Sequence, residues 1–86
     1  MREKIDTPVS VGWFYDSRLR QTRPQAIWWQ GRKRLVEKVG LHHTYREGRK
    51  LFHVFSVVGD GVFFRLELDS EVLSWRLKEI SDGLPN

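Results

Sequence analysis

The chain has no cysteine and only three prolines among its 86 residues. Without thiols, disulfides, thiolate nucleophiles and cysteine-ligated metal sites are excluded, so stability must come from packing. No window approaches the roughly 18 consecutive apolar residues of a membrane-spanning helix. The charged start of the chain, Met1–Asp6, is not followed by the apolar run of a secretory signal. We therefore expect a soluble, cytoplasmic protein with no membrane partner.

The length leaves room for one hydrophobic core, because 86 residues cannot be divided into two stable domains. The composition is that of a globular chain, with 40% hydrophobic and 13% aromatic residues. We expect a single small β-domain over residues 1–86. Within it, residues 1–7 and 82–86 are expected to form flexible ends.

Charge is distributed unevenly along the chain. Residues 1–50 contain 12 Lys or Arg and 5 Asp or Glu, a net charge of +7. Residues 51–86 contain 3 Lys or Arg and 6 Asp or Glu, a net charge of −3, so the whole chain has a net charge of +4. Such a basic half suits an anionic partner, although two halves of opposite charge can also attract each other within one fold.

Alternation of apolar and polar residues with a period of two dominates the sequence and predicts β-strands. The alternating segments are residues 8–15, 35–45 and 62–69. Residues 26–29 are predicted as a strand because they are β-branched and aromatic, and residues 51–58 as a central strand because they are apolar at both alternating positions. The polar stretch Asp16–Gln25 is interpreted as a long loop. Residues 70–80 fit either a final strand or a short C-terminal helix, and we favour the strand. The predicted fold is all-β, an antiparallel meander of five or six strands that forms an SH3-like barrel or a strongly curled sheet.

Hairpin register predicts which residues share a face of the sheet. We assign a two-residue turn to Gln30-Gly31, a four-residue loop to Arg46–Arg49 and a three-residue loop to Gly59–Gly61. The predicted core face then consists of Trp28, Leu35, Val39, Leu41, Phe52, Val54, Val58, Val62, Phe64, Leu66 and Leu68. The opposite face interleaves large apolar residues with cations, namely Ile27, Trp29, Arg32, Arg34, Lys38, Phe55, Val57, Phe63 and Arg65.

This opposite face predicts a non-enzymatic module that binds nucleic acid, either DNA or RNA. Aromatic rings stack on exposed bases for about 1–3 kcal/mol per base, and cations neutralise phosphates. The candidate contacts are Trp29 with Arg32, Lys33 and Arg34, assisted by the loop residues Arg18, Arg20 and Arg23.

Two other interpretations of the same face remain open. The aromatic residues can pack beneath the loop or the chain ends and serve only the fold. Alternatively, Ile27, Trp29, Phe55 and Val57 can form a protein-interaction or self-association surface, for which apolar contact matters more than charge.

The predicted register also aligns His42, His53 and Glu67 across three neighbouring strands. Two imidazoles and a carboxylate are metal-ligand types. Three ligands in a straight row suit a metal poorly, however, because adjacent strands are about 4.8 Å apart. We therefore favour a polar ladder over a metal site.

The sequence shows no arrangement typical of catalysis. Its serines lie in no nucleophile motif, and Gly59-Asp60-Gly61 is too short to cradle a phosphate. We expect no enzymatic activity and no cofactor.

A scattered set of residues resembles a family of small bacterial domains of unknown function. The shared positions are Trp29-Gln30-Gly31-Arg32, Val36, Val39, Gly48-Arg49, Phe52, Val54, Phe64, Leu66 and Trp75-Arg76-Leu77. Some members of this family occur in or near proteins of error-prone DNA repair. The resemblance implies a bacterial, cytoplasmic β-domain associated with DNA transactions, and it carries over no catalytic residue.

Overall fold

The protein is described by a computed structural model that places residues 2–82. Residues 2–82 form β-strands and contain no helix, so the prediction of an all-β fold is confirmed. The eight strands are β1 (Arg2–Pro8), β2 (Ser10–Asp16), β3 (Gln21–Trp29), β4 (Arg32–Leu35), β5 (Lys38–Glu47), β6 (Lys50–Gly59), β7 (Val62–Asp69) and β8 (Ser74–Asp82).

The strands form two antiparallel sheets. One has five strands in the order β1-β8-β7-β6-β5, and the other has three in the order β2-β3-β4. Neither sheet closes on itself within the part of the chain that the structure describes, in agreement with the curled-sheet alternative rather than a barrel. The strand interpretation of the last segment is confirmed by β8, which occupies Ser74–Asp82.

Two strand assignments differ from the prediction. Residues 2–8 form β1 against β8, where a flexible N-terminus was expected. The expected flexible C-terminus lies, except for Asp82, outside the described residues. The predicted loop Asp16–Gln25 is wrong, because β3 begins at Gln21.

A four-residue turn, residues 17–20, connects β2 to β3 instead. Asp16 stabilises this turn, since its Oδ1 accepts hydrogen bonds from the backbone N–H groups of Arg18 and Leu19 at 2.9 and 3.3 Å.

Two-residue turns set the register of the hairpins. Gln30-Gly31 and Asp60-Gly61 both have positive φ at their two central residues, the signature of a type I′ turn. The turn at Gln30-Gly31 is therefore as predicted, and Trp29 lies opposite Arg32 while Ile27 lies opposite Arg34. The predicted loop Gly59–Gly61 is one residue too long, because Gly59 belongs to β6 and pairs with Val62.

Gly59 lies within the strand because another part of the chain approaches it closely. A Cβ atom at this position would be 2.6 Å from the carbonyl oxygen of Leu35. Only glycine allows this approach, so its presence reflects tertiary packing and not the turn.

The one-residue difference exchanges the faces of β6. Phe55 pairs with Leu66 and Val57 with Phe64, so these residues share the core face. The buried core consists of Ile27, Phe55, Val57, Phe64, Leu66, Leu68, Trp75 and Leu77. The assignment of Ile27, Phe55 and Val57 to an exposed face is therefore wrong.

The predicted core face is correct only in part. Phe64, Leu66 and Leu68 are buried as expected, and Val39 and Val62 pack against them. Trp28, Leu35 and Leu41 are exposed instead. The remaining three, Phe52, Val54 and Val58, lie on the other face of the five-stranded sheet, since they pair with Asp69, Glu67 and Phe63. Val54 is nevertheless buried, as predicted.

The segments that connect the three-stranded sheet to the rest of the chain are hydrogen-bonded to the five-stranded sheet. The Val9 N–H donates to the Trp75 carbonyl at 3.2 Å, and the Glu37 N–H donates to the Val58 carbonyl at 2.8 Å. Ile27 inserts between the sheets and is fully buried. One face of the three-stranded sheet thus covers the core, and its other face is left toward solvent.

Candidate nucleic-acid interface

Strand pairing defines which side chains lie on the outer face of the three-stranded sheet. Ile27 points into the core, so its neighbour Trp28 points away, together with Ser10 and Lys33, which lie directly across from it. Leu35 lies opposite Ala26, two residues from Trp28, and shares this side. We use the term outer face for the solvent-facing side of this sheet, which carries Phe14, Arg23, Trp28, Lys33 and Leu35.

Trp28 is the main aromatic group of the outer face and remains 44% exposed. Its ring lies against the backbone of Gly12, where an added Cβ would be 3.3 Å from ring atom Cζ3. The Nζ atom of Lys33 is 5.5 Å from the ring centroid, within the range of a cation–π contact. The sheet therefore presents an indole supported from beneath and accompanied by an ammonium group.

Phe14 and Arg23 form a second aromatic and cationic pair further along the sheet. The pairing shifts between Gly12 and Trp13, after which Phe14 lies directly opposite Arg23. Trp13 turns inward, with its ring centroid 6.2 Å from that of buried Trp75. Phe14 consequently points outward, and it is 44% exposed.

The β2–β3 turn adds further cations at the end of the outer face. Arg18 and Arg20 lie in this turn and are exposed, as is Leu19 between them. The Nε atom of Arg18 is 3.6 Å from Asp16 Oδ1, and the Arg18 side chain retains 87% of its exposure. An exposed ion pair of this kind contributes little to stability and leaves the guanidinium accessible.

Three of the predicted contact residues lie elsewhere. Trp29 is half-buried and packs against the core. The Arg34 side chain is only 15% exposed; its Nη1 is 3.3 Å from Asp60 Oδ2, and its Cζ lies 5.7 Å from the Phe64 ring centroid. Arg32 donates to the same Asp60 oxygen at 3.1 Å. These arginines link the β3–β4 hairpin to the β6–β7 turn.

The structure therefore divides the seven predicted site residues into three groups. Lys33 and Arg23 lie on the outer face, Arg18 and Arg20 lie in the adjoining turn, and Trp29, Arg32 and Arg34 lie toward the five-stranded sheet. The sequence analysis missed Trp28 and Phe14 as exposed aromatics. The alternation of β3 could have identified Trp28, because fixing Ile27 as inward makes Trp28 outward.

The predicted row of His42, His53 and Glu67 does not form. His42 lies opposite Phe55, His53 lies opposite Leu68, and Glu67 lies opposite Val54 on the other face. The one-residue difference at Gly59 separates Glu67 from the histidines. No group of three or more His, Asp or Glu side chains within residues 2–82 could hold a metal ion.

The two histidines nevertheless contact each other. His42 Nε2 and His53 Nδ1 are 3.0 Å apart, and the His42 ring stacks on Phe55 with 4.2 Å between centroids. Partial burial, followed by the charges of His53 and His43, lowers the pKa of His42 below its ordinary value. This arrangement favours the neutral form of His42, whose Nε2 is joined to His53 by the hydrogen bond between the rings.

Glu67 takes part in a separate polar cleft on the outer side of the five-stranded sheet. The Tyr45 hydroxyl donates to Glu67 Oε2 at 2.7 Å, and burial together with this carboxylate raises the pKa of Tyr45 to about 12. Arg65 Nη1 is 3.5 Å from Oε1 of buried Glu79. The cleft has a volume of about 320 Å³ and is lined by Lys4, His43, Tyr45, Val54, Arg65, Glu67, Lys78 and Glu79. Its carboxylates already have cationic or hydroxyl partners.

Comparisons with known proteins find no matching family model, no similar curated protein and no similar solved structure. Residues 2–82 contain no helix that could cross a membrane. The functional conclusion therefore depends on the chain's own geometry, which is that of a small all-β protein with an exposed aromatic and basic sheet face.

Proposed function

We propose that this protein is a non-enzymatic module that binds nucleic acid through the outer face of its three-stranded sheet. The observation that supports this most strongly is that the same sheet carries the excess positive charge and exposes Trp28 and Phe14. Each of these aromatics lies beside a cation on the neighbouring strand, Lys33 and Arg23 respectively.

The distribution of charge supports an anionic partner for this sheet in particular. Residues 10–35 contain six Lys or Arg and a single acidic residue, Asp16. Residues 2–8 and 38–82, which form the other sheet, contain nine Lys or Arg and nine Asp or Glu. A long polyanion is therefore attracted to one side of the molecule, and its affinity falls as salt increases because counterions are released on binding.

The exposed aromatic rings supply the second part of the interaction. Bases stack on aromatic side chains for about 1–3 kcal/mol each, and this contact tolerates different bases because every base has a flat face. Trp28 is well placed for it, since Gly12 supports one side of the ring. The adjacent Lys33 ammonium can then contact the phosphate of the stacked nucleotide.

In this proposal the predicted site residues have two roles. Arg23 and Lys33 contact phosphates on the sheet, and Arg18 and Arg20 extend the cationic surface into the turn. Arg32 and Arg34 hold the β3–β4 hairpin through Asp60, and Trp29 packs beneath it. This second group positions the surface without contacting the ligand.

A protein partner is the second candidate, favoured by one observation. Leu35 on the outer face is 64% exposed, so the surface has an aliphatic component that nucleic acid does not need. Apolar contact would then carry the binding, and removing the charge of Lys33 would change affinity little.

Fluorescence anisotropy of labelled single-stranded DNA, single-stranded RNA and duplex DNA tests the proposal at low and physiological salt. We expect saturable binding that weakens with salt and is reduced in Trp28→Ala and Arg23→Gln variants. Arg46→Gln is the matched control, because Arg46 is an exposed arginine on the five-stranded sheet.

Circular dichroism spectra of all variants establish that they are folded. Absence of salt-sensitive binding, or equal loss of binding in Arg23→Gln and Arg46→Gln, would overturn the proposal. Unchanged affinity in Trp28→Ala would also overturn it, because the proposal depends on base stacking at this ring.

A further inference from the structure

The end of the β2–β3 hairpin projects beyond the hydrophobic core. Its last residue pairs are Phe14 with Arg23, Tyr15 with Thr22 and Asp16 with Gln21. Tyr15 follows the inward-facing Trp13 by two residues and so lies on the same side of the sheet, yet it is 56% exposed. Both sides of the hairpin are therefore open to solvent at this end. We use the term arm for residues 14–23.

The tip of the arm is the four-residue turn of residues 17–20, whose backbone is held in place by local contacts. Asp16 Oδ1 accepts hydrogen bonds from the N–H groups of Arg18 and Leu19 at 2.9 and 3.3 Å. Arg20 has a φ of 53°, the left-handed conformation that returns the chain into β3. The backbone that carries the side chains of the tip is thus ordered without a partner.

The tip exposes an aliphatic side chain between two arginines. Leu19 is 62% exposed, and among the described residues it belongs neither to the buried core nor to the hydrophobic residues packed against it. The Arg18 side chain retains 87% of its exposure, and Arg20 is also exposed. Packing therefore does not account for Leu19, which stands at the end of the hairpin flanked by two cations.

This combination matches the way in which proteins bend duplex DNA from the minor groove. Arginine is attracted to the negative potential of a narrow minor groove, and an apolar side chain such as leucine inserts between neighbouring base pairs and kinks the duplex. The arm carries three arginines and one acidic residue, Asp16, so its charge is complementary to a polyanion.

The length of the arm is sufficient for such a contact. Three residue pairs at about 3.4 Å per residue extend about 10 Å before the turn. The minor groove of B-form DNA is about 7.5 Å deep. The side chains of the tip can therefore reach the base pairs at the floor of the groove.

We propose that the arm binds duplex DNA, with Leu19 inserted between two base pairs from the minor groove and with Arg18 and Arg20 in the groove on either side of it. This inference rests on the proposed binding of nucleic acid. It extends that function to a second form of nucleic acid, because the ring of Trp28 stacks on unpaired bases whereas the arm takes a paired duplex.

Leu41 and Arg46 provide matched controls on the five-stranded sheet. Leu41 is 65% exposed, close to the 62% of Leu19, and Arg46 is an exposed arginine. Leu19→Ala and Leu41→Ala thus remove the same aliphatic group from two surfaces of similar exposure. Neither substitution opens a cavity in the core, so both variants should fold, and circular dichroism verifies this.

Duplex DNA with 2-aminopurine in an A·T-rich centre tests the insertion, because this base fluoresces more strongly when its stacking is disrupted. We expect the unmodified protein and Leu41→Ala to raise the fluorescence and Leu19→Ala to lose most of the increase. Energy transfer between dyes at the two duplex ends should report a bend with the same dependence on Leu19.

Two further measurements test the arginines and the groove. The Arg18→Gln, Arg20→Gln double variant should lose more affinity for the duplex than Arg46→Gln does. Netropsin, which fills the minor groove of A·T-rich DNA, should compete with the protein. Undiminished binding in the presence of saturating netropsin would contradict insertion from the minor groove.

Trp28→Ala separates this inference from the proposed function. This variant should lose affinity for a single-stranded oligonucleotide and keep the 2-aminopurine signal with the duplex. Binding of the single strand without a rise in duplex fluorescence, or an equal rise in Leu19→Ala, would overturn the role of the arm and leave the outer face in place. Absence of binding to either form would overturn the proposed function and this inference together.

Discussion

The two sheets of this protein differ in where they place apolar and charged side chains. The five-stranded sheet supplies seven of the eight residues of the buried core cluster, whereas the three-stranded sheet supplies Ile27 alone. The five-stranded sheet has equal numbers of acidic and basic residues, whereas the three-stranded sheet has six basic residues and one acidic residue. The buried apolar cluster and the excess of positive charge are thus concentrated in different sheets of one small fold.

This separation has a physical reason in a chain of this size. A sheet that faces the core on one side must still expose its other side, and an exposed apolar side invites association. The three-stranded sheet exposes aromatic rings among cations, which keep neighbouring copies apart by mutual repulsion. The same cations attract a polyanion, so solubility and the proposed binding depend on the same residues.

The largest effect that distinguishes the sheets should come from truncating the core. Phe64→Ala removes a fully buried ring from the five-stranded sheet and should lower the free energy of unfolding by about 3–5 kcal/mol. Phe14→Ala removes an exposed ring from the three-stranded sheet and should cost less than about 1 kcal/mol. Urea denaturation measures both. Similar losses in the two variants would contradict the division of roles.

The contact between the sheets should give the next largest effect. Gly59→Ala places a Cβ 2.6 Å from the Leu35 carbonyl oxygen, which is backbone, so the strands must separate there. We expect a loss of about 1–3 kcal/mol in the free energy of unfolding. Gly40→Ala is the control, since its nearest neighbour would be 3.4 Å away. Equal thermal melting of the two variants would show that the sheets do not meet at Gly59.

A smaller effect should appear in the salt dependence of binding. Each phosphate contact to a single strand contributes about 0.7 to the slope of log K against log salt concentration. Arg23→Gln and Lys33→Gln should each reduce the slope by about this amount, and Arg49→Gln, in the turn between β5 and β6, should leave it unchanged. Anisotropy titrations at four or more salt concentrations give the slopes. An equal reduction by Arg49→Gln would indicate diffuse attraction without a preferred sheet.

The smallest expected effect concerns Tyr45 on the five-stranded sheet. Because its pKa is about 12 in the folded protein and near 10 when unfolded, the folded state retains the proton over this range. Its contribution to stability is therefore complete below pH 10 and is lost as the pH rises toward 12. The effect should be modest, since Tyr45 is partly exposed.

Ultraviolet titration of the phenolate absorbance measures this ionisation directly. In Glu67→Gln the carboxylate charge is lost while the amide oxygen can still accept the hydrogen bond, so Tyr45 should ionise at a lower pH than in the unmodified protein. Tyr45→Phe identifies which of the two tyrosines contributes the signal. An unchanged titration in Glu67→Gln would contradict an effect of the Glu67 charge on the pKa of Tyr45.

The sequence was sufficient to predict the fold class and part of the strand pairing. Alternation identified β7 and favoured a strand for the last segment, and Gln30-Gly31 correctly gave the pairs Trp29–Arg32 and Ile27–Arg34. These features depend on neighbouring residues. The local alternation of residues and the turn sequence are therefore enough to predict these strands and pairs, without contacts to distant parts of the chain.

The faces of the sheets could not be predicted in the same way. Gly59 resembles a turn residue beside Asp60-Gly61, but it is required by the approach of Leu35, which is distant in sequence. Counting it in the turn moved Phe55 and Val57 from the core to the surface. Register shifts at Gly12/Trp13 and Val39/His42 add further changes that alternation does not reveal.

The sequence analysis consequently placed the basic aromatic surface at the wrong residues. A basic aromatic surface was expected around Trp29, and the exposed indole with a neighbouring cation is that of Trp28 beside Lys33. Adjacent residues in a strand point to opposite faces, so a one-residue error in assigning the face exchanges a packing residue for a surface residue.

The central claim is that the three-stranded sheet binds nucleic acid, and affinity for a labelled single-stranded oligonucleotide tests it most directly. The measurement compares the unmodified protein with Trp28→Ala at low and physiological salt. We predict salt-sensitive binding that Trp28→Ala weakens about 5-fold to 150-fold, in line with the loss of about 1–3 kcal/mol from one stacked base. Absence of binding at low salt, or identical affinities for the two proteins, would contradict the account.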